Sequence, residues 1–129
     1  MNTVQFNTHE ADDQIMWKKD GLEVGQWMES LGFIDRELGY LMELEDRFAE
    51  DPELYAQIQE KQRENSFVSG ELFRHENAMK NAWECDDLAC DTYYLDHHEK
   101  QRGLFMEHLR AYRKLKSKLF AKILENPKV

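Results

Sequence analysis

The sequence predicts an all-α fold, an up-down-up bundle of three long antiparallel helices that associates into a larger bundle. Three observations predict it. Apolar residues recur at helical spacing over almost the whole stretch from Trp17 to Asn126. Only two short breaks interrupt that pattern, Ala49-Glu50-Asp51-Pro52 and Glu84-Cys85-Asp86-Asp87-Leu88-Ala89-Cys90-Asp91. Connections this short make neighbouring helices antiparallel. With 129 residues, 41% of them hydrophobic, the chain suits one domain with a modest core.

Residues 1–16 lack a clear period and are expected to form a flexible N-terminal arm ahead of a single domain over residues 17–126. Helix one is expected to start at Asp20, because Asp20-Gly21-Leu22-Glu23 resembles a capping box. Its seam runs through Trp27, Leu31, Ile34, Leu38, Leu41 and Phe48 in heptad steps, the spacing of a coiled coil. Glu45 fills a slot where that seam expects an apolar residue. Gly25, Gly32 and Gly39 recur every seven residues on the same helix. Each costs about 0.5–1 kcal/mol against alanine in a helix interior. Either another backbone approaches there, or the glycines are exposed and tolerated.

Helix two opens with Asp51-Pro52-Glu53: an acidic cap, proline at the first helical position and a carboxylate on the positive end of the dipole. Its apolar positions are Leu54, Ile58, Val68, Leu72, Met79 and Trp83, while Lys61, Asn65 and His75 occupy seam slots between them. A middle this polar is either partly exposed, with long polar stems covering apolar surface, or sets register through buried polar groups, and exposure is the expectation. Helix three starts between Asp87 and Thr92 and ends before Asn126-Pro127. Its expected inner face is Leu95, His98, Phe105, Leu109, Tyr112, Leu119 and Ile123, flanked by Leu104 and Leu115. The basic, amphipathic stretch from Arg110 to Leu124 is expected to face the core with its lysines in solvent, rather than to lie on an anionic membrane.

The net charge of −9 is unevenly distributed. Residues 1–98 hold 8 Lys/Arg against 23 Asp/Glu, and residues 99–129 hold 9 against 3. A basic third helix beside two acidic ones is the simplest consequence. Negative charge argues against direct nucleic-acid binding, which relies on Lys/Arg at phosphates. No apolar run approaches the ~20 residues that cross a bilayer, so stable membrane insertion is not expected. The N-terminal residues have neither a basic region nor an apolar one, so no secretory signal is read and a cytoplasmic location is expected. Cys85 and Cys90 would then be mostly reduced.

Matching heights between antiparallel helices places His75 within about a turn of His98 and Gln101, with Trp27 and Gly25 completing the layer. Two histidines and a carboxylate bind a transition metal where they converge, so His75, His98 and Glu71, one turn before His75, form a candidate site for one such ion. His97 points about 100 degrees away from His98 and is not expected to share its face. Cys85 and Cys90 carry zinc-type donors without the usual two-residue spacing, so zinc and a redox-sensitive disulfide are the alternatives to plain thiols. There is no glycine-rich phosphate loop and no Gly-x-Ser-x-Gly, so no catalytic residue, no cofactor and no enzyme activity are expected.

Trp17 and Trp27 lead into Glu37-Leu38-Gly39-Tyr40-Leu41; Gln59 to Phe67 follows, with Leu72 and His75-Glu76, then His98 through Phe105 to Leu119-Phe120. Over residues 17–124 this ordering resembles uncharacterised small three-helix cytosolic proteins of Bacteroidota. The resemblance implies a helical bundle and carries over no functional residue. The seven-residue spacing of the helix-one glycines and the Cys85/Cys90 connection are not part of it.

The function expected is a non-catalytic protein–protein interaction module that acts through helical faces. Its expected partners are a second copy, as a homodimer, and another protein. Apolar surface for self-association would come from Trp27, Trp83, Tyr93, Tyr94 and Phe120. Two alternatives stand beside it. One is a metal-binding bundle using His75 and His98. The other is an acidic decoy that blocks a basic nucleic-acid-binding groove of another protein through residues such as Glu29, Glu43, Asp46 and Glu50.

Overall fold

The computed structural model describes residues 2–81 and 87–125, with α1 side chains from residue 15 onward, Trp17 excepted. Three helices, α1 (Asn2–Leu44), α2 (Pro52–Met79) and α3 (Leu88–Glu125), pack on one another as an all-α bundle. A π-helical turn, Glu45–Ala49, closes α1. Residues 1–16, expected as a loose arm, are helical from Asn2 onward. No proline or glycine occurs before Gly21 to stop the helix. Asp20 therefore lies inside α1 and does not cap it.

The first connection is built as its sequence dictates. Glu50 takes the left-handed conformation (φ 48°) and donates its N–H to the Glu45 carbonyl at 2.8 Å. The Asp51 carboxylate accepts from the N–H groups of Glu53 (3.0 Å) and Leu54 (3.2 Å), and Pro52 begins the helix. Glu45, buried in its seam slot, accepts the Asp51 N–H at 2.9 Å through its carboxylate. The polar residue in an apolar slot is thus the fastening between α1 and α2.

All three helices bury a heptad stripe, interrupted on α2 at the half-buried Lys61. On α1 it is Val24, Trp27, Leu31, Ile34, Leu38, Leu41 and Glu45, with Phe48 half-buried. On α2 it contains Leu54, Ile58, Asn65, Val68, Leu72, His75 and Met79. On α3 it is His98, Gln101, Phe105, His108, Tyr112, Leu115 and Leu119. Asn65 and His75 are inside the core, not exposed as the polar middle of α2 suggested. Burial is tolerated because each finds a partner across the bundle. Asn65 donates from its amide nitrogen to the Leu31 carbonyl at 3.0 Å and accepts from His108 Nε2 at 2.9 Å. Gln101 and His108 take core slots on α3, while Leu95 is 46% exposed and Leu109 only packs at the edge. Trp83 lies outside the described residues.

The basic C-terminal half of α3 faces the core through Tyr112, Leu115 and Leu119. Its lysines reach acidic neighbours: Lys116 donates to both Glu37 oxygens (3.2 and 3.1 Å), and Lys122 lies 4.0 Å from Asp51. The charge asymmetry of the chain is thus partly resolved within the bundle. Among the described residues no helix is long and apolar enough to cross a membrane.

Candidate functional site

The most polar layer of the bundle lies where α1 contributes Asp20 and Glu23, α2 contributes His75 and α3 contributes His97, His98 and Arg102. Residues three apart on a helix share a face, so Asp20 and Glu23 both look toward α3. His75 is fully buried and its two ring nitrogens are both engaged: Nδ1 lies 2.8 Å from His97 Nδ1, and Nε2 lies 2.8 Å from His98 Nδ1. His98 Nε2 in turn lies 2.7 Å from Glu23 Oε1 and 3.6 Å from Asp20 Oδ1. Arg102 donates to both Glu23 oxygens, from Nη2 at 2.6 Å and Nε at 3.0 Å, and also pairs with Glu99. Trp27 stacks on the His98 ring at a centroid distance of 5.2 Å and on Phe105 at 5.6 Å, fixing the imidazole plane.

This hydrogen-bonded line has two self-consistent proton arrangements, because a neutral imidazole has one donor and one acceptor nitrogen. Glu23 is an acceptor, so His98 Nε2 carries a proton. With neutral His98, His97 Nδ1–H donates to His75 Nδ1 and His75 Nε2–H donates to His98 Nδ1. With protonated His98, both bonds reverse and His75 donates from Nδ1 to His97. His75 is neutral in either case. Its pKa agrees: burial, then the neighbouring His98 and His97, push it down to about 4. The Arg102 guanidinium holds the Glu23 carboxyl down at about 2, with His98 assisting. Burial raises the Asp20 carboxyl above its ordinary range.

Height matching correctly joins His75 to His98 and puts Trp27 beside them. It does not assemble the expected trio. Glu71 turns to Arg74 on its own helix, and Gly25 is exposed. His97, set aside because adjacent residues diverge, reaches His75 from the opposite side to His98. Asp20, Glu23 and Arg102 were overlooked, the first two because their spacing mimics a helix cap. Register held the missing signal. Glu23 and Glu37 of α1 meet α3 residues 75 to 79 positions later, and that offset carries Asp20 and Glu23 to the level of His98.

The other expected features separate clearly. Cys90 is disulfide-bonded, so it is not the thiol expected of a reducing compartment and offers no thiolate to zinc; Cys85 lies outside the described residues. Glu29, Glu43, Asp46 and Glu50 are all exposed, but Glu43 pairs with Arg47 at 3.2 Å, and Arg36 also faces solvent on α1. The acidic surface is therefore interrupted by cations. Among the expected self-association residues, Trp27 is buried, Tyr94 is half-buried, and Tyr93 and Phe120 are exposed. A shallow groove of about 400 Å³ between α2 and α3 is lined by side chains such as Glu60, Glu64, Lys114 and Lys118, with both charge signs present.

The outer face of α1, opposite its buried stripe, carries a different pattern. Leu22 (70% exposed), Phe33 (54%) and Tyr40 (66%) line one edge of it, and Gly25, Gly32 and Gly39 line the other, about 100 degrees round the helix. A Cβ added at any of these three glycines meets nothing within 4 Å. The close backbone approach that their spacing suggests is therefore not made within this chain. No protein-family model matches the chain, and no curated protein or solved structure does either.

Proposed function

We propose that this protein is a non-catalytic helical interaction module that self-associates through the outer face of α1. The observation that carries the reading is an exposed face with large apolar side chains along one edge and open glycines along the other. A second copy laid antiparallel, centred between Gly32 and Phe33, puts each Phe33 over Gly32 of the other chain and each Tyr40 over Gly25. The same register brings Arg36 beside Glu29, twice by symmetry. Such a self-complementary patch is what an isologous dimer requires. Glycines at the contact let the two backbones come close, and aromatic rings supply the buried area.

The exposed Phe67 and Phe73 on α2 remain available to a different protein. We place this module in the cytoplasm, where a disulfide at Cys90 is of the redox-sensitive kind. The decoy reading is weaker, because cations interrupt the acidic face.

Light scattering behind size exclusion tests the dimer. The wild-type chain is expected to elute at twice 15.5 kDa, and Phe33→Glu at the monomer mass with unchanged helicity. A wild-type monomer at micromolar concentration, or a dimer indifferent to Phe33→Glu, contradicts the proposal.

A further inference from the structure

We propose that Asp20, Glu23 and His98 form a binding site for one divalent transition-metal ion. Their ligand atoms lie within 4.8 Å of one another, one from each side chain. A metal with bonds of about 2.1 Å holds adjacent ligand atoms about 3.0–3.4 Å apart. His98 Nε2 lies 2.7 Å from the Glu23 oxygen and 3.6 Å from the Asp20 oxygen, on either side of that range. Sub-ångström adjustments of two partly exposed carboxylates bring both of these distances into it, and the two carboxylate oxygens, within 4.8 Å of each other, close on the same point. One imidazole and two carboxylates are a donor set for Mn²⁺, Fe²⁺, Co²⁺ or Zn²⁺, with positions left for water.

Three further features go beyond a chance meeting of charges. First, the His98 ring is fixed by Trp27 and by a bond from its other nitrogen to a buried histidine. Metal-bound histidines characteristically donate that other N–H to a fixed acceptor. Here His75 Nε2 is that acceptor, and His75 Nδ1–H passes the bond on to His97. When a metal replaces the proton on His98 Nε2, neutral His98 keeps its proton on Nδ1, and the line adopts its second direction with both ring nitrogens of His98 and of His75 satisfied. Second, Arg102 supplies the positive charge that the two carboxylates lack and has Glu99 as another partner. It can release Glu23 Oε1 without being stranded. Third, Gln101 Oε1, one turn beyond His98 on the buried stripe, is the sole buried side-chain oxygen or nitrogen without a partner among the described residues. An acceptor without a partner thus lies one turn from His98 on the same buried stripe of α3.

The test is titration of untagged, chelator-stripped protein with Co²⁺, read by visible absorption, with native mass spectrometry for stoichiometry. One ion per chain is expected, lost on adding chelator. Asp20→Asn and Glu23→Gln, nearly isosteric changes at partly exposed sites, are each expected to weaken binding by at least the 10–100-fold typical of losing even an outer partner. Glu71→Gln is expected to leave it unchanged. Arg102→Gln, which removes the competing cation, is expected to tighten it. Circular dichroism confirms that each variant is folded. Absence of binding at micromolar Co²⁺ overturns the proposal. So does binding that survives Asp20→Asn and Glu23→Gln, or an Arg102→Gln variant that binds more weakly than the wild type.

Discussion

At the scale of single residues, the bundle is specified by polar groups that meet across its core. Asn65 and His108 satisfy each other, and burial keeps His108 neutral by lowering its pKa. Asn65→Ala leaves the His108 donor without its acceptor and is expected to cost about 1–3 kcal/mol in urea unfolding. The double change Asn65→Leu with His108→Leu removes both polar groups and is expected to recover most of that loss. Farther along, Tyr112 donates to Glu37 at 2.5 Å, and this bond, with Lys116, holds the Glu37 carboxyl below its ordinary range. Tyr112→Phe is expected to raise the Glu37 pKa, as followed by NMR titration, and to cost about 1 kcal/mol.

At the scale of elements, much was legible in the sequence, and what was missed has identifiable causes. Asp51-Pro52-Glu53 announces the start of α2, and the structure has both cap bonds in place. Asp51→Ala is expected to lower stability by about 1 kcal/mol, measured by thermal unfolding. The seam of α1 was readable because its members are apolar. The seam of α3 was misread at Gln101, His108 and Leu109, since an apolar template discards polar residues that occupy core slots. Asp20 and Glu23 were taken for a cap because two carboxylates three apart serve a helix end and a helix face equally well. The longer α1 was hidden by a first segment whose apolar residues do not line up on one stripe.

At the scale of the whole molecule, acid is expected to weaken the fold in a defined window. Burial holds His75 near 4 in the fold, against about 6.5 for an ordinary histidine. Between those values the unfolded chain binds a proton that the folded one does not, so stability rises with pH through the window. The contribution is full above 6.5 and is lost as pH falls toward 4. His108 acts in the same direction, and Glu23, held near 2, extends the loss below its ordinary 4.5. Asp20, raised by burial, opposes the trend. Urea unfolding is expected to show about 2 kcal/mol less stability at pH 5 than at pH 7 from His75 alone.

The glycine face of α1 puts monomer stability and assembly in opposition, and one substitution separates them. In the lone chain a methyl group at Gly32 meets nothing within 4 Å. Gly32→Ala should therefore stabilise the monomer by about 0.5–1 kcal/mol, through helix propensity alone. In the proposed dimer the same methyl group stands where Phe33 of the second copy must seat. Sedimentation equilibrium of wild type and Gly32→Ala is the most direct measurement. Self-association through this face predicts a wild-type dimer that Gly32→Ala weakens. A monomeric wild type, or a dimer that Gly32→Ala leaves unchanged or tightens, would contradict it.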